Sequence, residues 1–519
     1  ITAIVTLFVA IFLFLLFVFL LQQTAPCIGA ASILLFAAAG WIAFGSLIDI
    51  FGMSRRFPAI SVLVALAILL SHWNDNHAVR TIDRSPVISR GTVNDALQAW
   101  HQHQAVRTTL TGSYPLFIVA AEGGGIRAAY WTASVLSRIT DSNPCFPDQL
   151  FALSGVSGGS LGSAVFVAQL ADAAVTDDGF YCDKQGNRAP GAQPLSAPAK
   201  TILSQDFLAP VMGAMLYPDL VQRILPFPIK RFDRARALEK AWEKSWNDFS
   251  TGNTGSHRFS ERFDGLWKVQ DSRWMPALFL NSTWVETGKR LIVSNVRLTP
   301  DDFMDAEDAV AFYGVDALRL STAVHLSARF TYVSPAGTLK KGGIVYGHAV
   351  DGGYFENSGE TTVMEVLKAI DQLKDNDPKK WKNIYPVVVH ISNEPVNPRY
   401  KTITLDSVKK DKAHAPLGCL NEVLSPPLTM LNTRDARGAY AREAVKWYVE
   451  ERNFLHFGLC KDRMDIPLGW ALSGAVQEDM DKQLNEKRKD CAVFDNPEKL
   501  NAIREILKAR YTRTGKAAP

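Results

Sequence analysis

The sequence predicts an α/β domain set behind a hydrophobic N-terminal segment. Two observations lead there. Charge is unevenly spread: no charged residue occurs before Asp49, and up to Trp73 only Asp49, Arg55 and Arg56 carry charge. Beyond Pro115, short apolar runs are each followed by a glycine-rich turn and a helical pattern, the repeating unit of α/β folds. The averages over 519 residues, 47% hydrophobic and 21% charged, conceal this split. They do exclude intrinsic disorder. A net charge of +4 is small for the length and argues against a nucleic-acid binder.

The elements follow in order. Residues 1–21 form an uncharged run rich in Leu, Phe, Val and Ile, as long as a bilayer core requires. Runs at 28–50 and 57–70 follow, so about three transmembrane helices are expected over 1–73. A signal peptide is disfavoured, because no basic region precedes the first run and two further runs follow. Arg55 and Arg56 place their loop in the cytoplasm, which would deliver the rest of the chain to the other side. Arg80, Arg84 and Arg90 pull the opposite way. The expectation is an integral protein of a bacterial-type inner membrane, with the large domain extracytoplasmic. Cys145 and Cys182 could pair there, although buried free thiols throughout are slightly preferred. No CxxC or Cys/His metal spacing is present.

Residues 74–114 read as a juxtamembrane connector with a helix near 93–106. Residues 116–121 are a continuous apolar run, as in a buried parallel strand. A helix is expected over 126–139, a strand from 150, and a further helix after it. Strands at 277–285 and 290–296 flank Glu286-Thr287-Gly288, a hairpin turn. A helix at 316–328, a strand at 344–350, a helix at 360–373 and a strand at 385–391 complete the pattern, within a domain spanning 115–519. The region 172–270, with Pro210, Pro218, Pro226 and Pro228, reads as an insertion or lid. Within it, Tyr217, Leu220, Leu225, Phe227 and Phe232 alternate with Arg223, Lys230, Arg231, Arg234 and Arg236. That composition suits an anionic bilayer, or equally an amphipathic segment packed on the core.

Three motifs carry chemistry. Gly155-Val156-Ser157-Gly158-Gly159 matches G-x-S-x-G between a strand and a helix, the context of a nucleophile elbow. A chance match is expected on the order of 0.1–0.2 times per chain. The overlapping Gly158-Gly159-Ser160-Leu161-Gly162 also fits, but its strand would have to include three glycines, so Ser157 is favoured. Glu122-Gly123-Gly124-Gly125-Ile126-Arg127 follows a strand and offers unobstructed backbone N–H groups for an oxyanion. It lacks the G-K-[ST] ending of a phosphate loop and the G-x-G-x-x-G of a dinucleotide site. Asp351-Gly352-Gly353 closes the 344–350 run, where a carboxylate could approach a second strand end across parallel neighbours.

In this order the three motifs resemble the patatin-like phospholipases, and Ser154-Gly155-Val156-Ser157-Gly158-Gly159-Ser160 is similar to the related cytosolic phospholipase A group. The resemblance covers roughly 115–359, with weaker similarity through Pro467-Leu468-Gly469-Trp470. It implies a three-layer α/β/α sheet domain and a Ser157–Asp351 dyad. Gly123, Gly124, Gly125 and the N–H of Gly158 would form the oxyanion hole, with Arg127 near a phosphate headgroup. The loop opens with Glu122 where the family usually has Asp, and Ala128 stands where Gly is common.

A Ser-His-Asp triad is the rival mechanism. Of His325, His348 and His390, only His390 fits the α/β-hydrolase order of nucleophile, acid, then histidine. The expected activity is lipid ester hydrolysis by a serine acyl hydrolase. Transfer to another acceptor by the same dyad, or a silent membrane scaffold, are the alternatives. A lipid or phospholipid substrate and the membrane are the expected partners, protein partners are unassigned, and neither cofactor nor metal is implied.

Overall fold

The computed structural model describes residues 2–84, 89–107, 113–268, 272–314, 316–330, 333–395, 421–461, 466–487 and 494–514. Three apolar helices open the chain: α1 (Thr2–Ile28), α2 (Ala30–Ser54) and α3 (Ala59–Leu70). Next come β1 (Thr81–Arg84), α4 (Val93–Ala105), β2 (Tyr114–Ala121), α5 (Gly125–Ser142), α6 (Phe146–Gln149), β3 (Leu150–Val156) and α7 (Gly158–Asp172). The 172–270 region holds α8 (Ser196–Leu203), α9 (Leu208–Leu216), α10 (Pro218–Gln222) and α11 (Arg234–Ser250). After it run β4 (Ala277–Trp284), β5 (Arg290–Ser294), β6 (Ala306–Asp308), α12 (Ala309–Tyr313), β7 (Asp316–Leu318), α13 (Leu320–Ser327), β8 (Gly337–Lys341) and β9 (Ile344–Asp351). The chain continues through α14 (Glu360–Asn376), α15 (Pro378–Trp381), β10 (Ile384–Ile391), α16 (Asn421–Tyr448), β11 (Phe454–Phe457), α17 (Gly474–Asn485) and α18 (Asn496–Thr514).

This is a mixed α/β architecture. The main sheet runs β11-β10-β2-β3-β4-β5-β6, and β9 with β8 attaches to β4. From β11 through β4 all neighbours are parallel. β2 is buried at every residue, so a continuous apolar run is what it requires. Its alternation sends Phe117 and Val119 into a core shared with α5, α7, α8 and α11. Leu116, Ile118 and Ala120 face a second core with α4 and α14. Helices therefore cover both faces.

Several expectations need correction. The segment from Asp316 is not helical at once: Asp316–Leu318 pairs antiparallel with β1, and the helix begins at Leu320. β9 runs antiparallel to β4, not parallel. The 172–270 region is no detached lid, because Leu203, Phe207, Val211, Leu238, Trp242 and Trp246 are buried in the main core. Cys145 and Cys182 are joined by a disulfide, against the preference for free thiols. Cys460 is also disulfide-bonded, whereas Cys419 and Cys491 lie outside the described residues.

Among the described residues two helices, not three, are long and apolar enough to cross a membrane. With 12 residues, α3 rises only about 18 Å, short of the ~30 Å hydrocarbon core. Phe8, Leu35, Ile42 and Ile68 on these helices are each about 70% exposed. One contact face is closed: α9 lays Ala209, Met212 and Leu216 against Leu13, Phe17, Ile33 and Ala37. Gly213 permits the close crossing, since a Cβ there would lie 3.0 Å from Leu21 Cδ1. Of the basic residues at 223–236, Arg223 and Arg234 both pair with Asp219, and Arg231 donates to the Phe19 carbonyl. Leu220, Ile224 and Phe227 remain exposed.

Candidate active site

Ser157 follows the last residue of β3 and has φ 51° and ψ −121°, a conformation L-residues rarely adopt. Such a residue costs of order 1–3 kcal/mol and persists only where its surroundings fix it. Here the Ser157 N–H donates to Ser327 Oγ at 3.0 Å. Ser327 Oγ lies 2.8 Å from Ser160 Oγ and donates to the Asn281 carbonyl. The flanking glycines are steric requirements. A Cβ at Gly158 would lie 1.8 Å from the Gly125 carbonyl oxygen, and one at Gly159 would lie 2.4 Å from that of Ala121. Ser160 is fully buried within α7 and bonded to Ser327, while Ser154 donates to the Gly359 carbonyl.

Strand register brings Asp351 to Ser157. Asn281 of β4 pairs with Val156 of β3 and with Ile292 of β5. The next residue, Ser282, pairs with Leu291 of β5 and with Asp351 of β9. β3 and β9 therefore share the edge of β4 opposite β5. They approach head-on along it, and their C-terminal ends face successive β4 residues, a rise of about 3.3 Å. Gly352 is forced by this junction, because a Cβ there would lie 2.1 Å from the Asn281 carbonyl oxygen.

The Asp351 carboxyl is almost wholly buried, with Oδ1 accepting the Gly353 N–H at 2.8 Å. Oδ2 is enclosed and has no well-aligned partner. Burial pushes the carboxyl up to about 6, and the nearby Ser157 hydroxyl, the Gly353 N–H and Arg434 pull it back only in part. Ser157 is thus near enough to act on the Asp351 carboxyl, while Oδ2 keeps no hydrogen-bond partner among the described residues.

The glycine loop lies over this junction. The Gly123 N–H donates to the Asn357 carbonyl at 3.0 Å, and the Gly123 carbonyl accepts from Asn393 Nδ2 at 2.7 Å. The Gly123 N–H is therefore already engaged, contrary to its expected place among the oxyanion donors. The N–H groups of Gly124, Gly125 and Gly158 have no partner among the described residues. Gly124 and Gly125 admit no side chain: a Cβ would lie 2.0 Å from Asn393 Oδ1 at the first and 2.5 Å from the Gly469 carbonyl oxygen at the second.

Arg127 lines the cavity but is tied down, donating to Asn393 Oδ1 at 2.9 Å and to the Ile466 carbonyl at 3.0 Å. It orients the asparagine that grips Gly123. Arg434 is a second guanidinium on the cavity wall, set 5.3 Å from the centre of the Phe330 ring. The cavity measures about 350 Å³, and Ser157, Asp351, Gly123, Gly124 and Gly125 all line it. Leu208, Phe330, Val333, Leu468 and Trp470 make its apolar wall. Asn357, Asn393, Ser327 and Arg434 have no sequence signal, being single polar residues outside any motif.

None of the candidate histidines lines the cavity. His325 is buried between Glu239 and Ser334, and His348 pairs with Glu286. His390 is buried between Glu122, at 3.2 Å, and Glu360, at 2.7 Å. Burial works against its charge, but the two carboxylates prevail and hold the imidazolium up to about 9. Glu122, the residue that opens the glycine loop, is thereby held from behind.

No protein-family model matches the chain, and no curated protein does. Among solved structures, the crystal structure of VipD from Legionella pneumophila is similar over 76% of this chain and 67% of that chain. The identity is 11% and the TM-score 0.26.

Proposed function

We propose that the protein is a membrane-anchored serine acyl hydrolase of the patatin-like type that cleaves lipid esters. The observation that carries this is the head-on meeting of β3 and β9 on one edge of β4, with Ser157 and Asp351 at the junction. Asp351 takes the Ser157 proton directly, without an imidazole. The Ser157 oxygen attacks the ester carbonyl, and the C–O bond breaks as protonated Asp351 returns its proton to the leaving alcohol, which forms the acyl-enzyme. The N–H groups of Gly124, Gly125 and Gly158 bind the oxyanion, at about 3–4 kcal/mol per donor. Asp351 then takes a proton from water, which attacks the acyl-enzyme, and passes it to the Ser157 oxygen as the fatty acid leaves. With a value near 6 the carboxyl is ionised at neutral pH yet basic enough to accept a proton.

The apolar wall supports a lipid substrate, and Leu208 of that wall opens α9, which packs on α1 and α2. Incubating the full-length protein in detergent with acyl-labelled phospholipid tests the reading. Release of labelled fatty acid is expected from the wild type and none from Ser157→Ala; undiminished release by that variant refutes it. The Cys145–Cys182 disulfide supports a catalytic region facing an oxidising compartment. Alkylation of freshly lysed cells, followed by a mass measurement, should find both thiols blocked. Free thiols would return the domain to the cytoplasm.

A further inference from the structure

A second cavity, of about 440 Å³, shares no lining residue with the first. Its walls come from the connector after α3, from the segment leading into and along α11, and from Arg319 and β8. Six cationic residues line it: Arg80, Lys230, Arg236, Lys240, Arg319 and Lys340. Two acids do, Asp75 and Asp233.

The acids are already used. Asp233 accepts His77 Nδ1 at 2.7 Å and caps α11 through the Ala235 N–H at 2.9 Å. Asp75 accepts the His77 N–H at 2.9 Å and the Thr338 hydroxyl. Behind the wall, Glu239 and Glu243 hold Arg80, and Glu243 also holds Lys240. Arg319 gives one N–H to the Ser260 carbonyl. Lys230, Arg236 and Lys340 are left with no ion-pair partner among the described residues. Arg236 is half-buried; burial together with the neighbouring Arg80 charge lowers its pKa, and Glu243, Asp233 and Glu239 offset this only in part without touching it in an ion pair. Two cations from the segment leading into and along α11 and one from β8 thus converge on one cavity, none of them in a direct ion pair among the described residues.

The position of the cavity narrows the ligand. Its wall begins at Asp75, five residues beyond the end of α3 at Leu70. Between them Trp73 is 58% exposed, as an interfacial anchor would be. Arg231, next to Lys230, sits 5.0 Å from the centre of the Phe19 ring on α1. The cavity therefore lies where the apolar helices meet polar protein.

We propose that this cavity binds a phosphate group, presented by an anionic phospholipid headgroup at the membrane surface or by free phosphate. Ammonium and guanidinium donors converging from several directions suit its tetrahedral oxygens. The site is separate from Ser157 and stands whether or not that serine is a nucleophile.

The test uses the full-length protein in detergent, with lipid retention read by native mass spectrometry and phosphate binding by calorimetry. One arm adds phosphatidylglycerol against phosphatidylcholine; the other adds inorganic phosphate. Retention of phosphatidylglycerol over phosphatidylcholine is expected. It should weaken on the order of a hundredfold when Lys230, Arg236 and Lys340 are all changed to Gln. Phosphate binding that is lost in the same variant, without lipid preference, assigns the site to the free anion. Wild type that neither prefers phosphatidylglycerol nor binds phosphate, or a folded triple variant that binds as wild type does, overturns the proposal. Should the triple variant misfold, Lys340→Glu on an exposed β8 residue replaces it, with a loss of about tenfold expected and equal binding overturning the idea.

Discussion

A carboxyl group sealed from water gives up hydration that only the charged form enjoys, and Asp351 is sealed with one oxygen poorly matched. Its pKa of about 6 lies above the unfolded value, so its contribution to stability is whole below about pH 4 and is lost as pH rises through 6. Asp351→Asn removes the charge in a nearly equal volume. At pH 8 the variant should be more stable than wild type by up to roughly 3 kcal/mol, and at pH 4 the gain should vanish. Urea denaturation at the two pH values reads this directly. Hydrolysis by the variant should be lost, while wild-type activity rises through about pH 6 as one proton leaves. A variant no more stable at pH 8 than at pH 4, relative to wild type, would show that Asp351 is not the strained carboxylate described. A Ser157 reading and an Asp351 reading are thus separable: one tests chemistry, the other the energetic cost of arranging it.

At the scale of elements, the glycine loop depends on what stands behind it. His390, one residue before the end of β10, sits between Glu122 and Glu360, and Asn393, just beyond the strand, grips Gly123. The His390 value of about 9 lies above the unfolded one, so its stabilisation is present below about pH 6.5 and fades as pH rises through 9. His390→Gln should therefore cost about 3 kcal/mol at pH 7 and much less at pH 10. Comparing the two proteins in urea at both pH values isolates this residue from other groups that titrate there. An equal loss at both would make the site a matter of packing alone. The sequence carried the strand and glycine-turn units around Ser157 and Glu122, because each is local and rests on several residues. It did not carry the edge that β3 and β9 share, since their register depends on β4, which lies more than a hundred residues after β3 and about sixty before β9. Nor did it reveal Asn357 or Asn393, whose importance arises only after the fold brings them to Gly123.

Over the whole molecule, α9 joins the apolar helices to the cavity. Leu208 at its start lines the Ser157 cavity, while Leu216 at its end packs on the α1–α2 pair. Tyr217, one residue on, meets the Phe17 ring with centroids 5.1 Å apart. Gln22 reinforces the joint by donating to the Ala237 carbonyl of α11 at 2.8 Å. An ester delivered from the plane of the membrane would arrive beside α9, so the seating of this helix should matter more for lipid than for a small soluble ester. Gly213 offers the means to test this, because a side chain there meets Leu21 at 3.0 Å and Phe17 at 3.5 Å. Gly213→Leu overpacks the crossing and should cost about 1–3 kcal/mol of stability. Its hydrolysis of phospholipid in mixed micelles should fall several-fold more than its hydrolysis of a short-chain ester in solution. Equal losses on both substrates would mean that α9 merely props the fold. A selective loss on phospholipid would mean that the anchor and the cavity work as one device, with the apolar helices setting where the substrate meets Ser157.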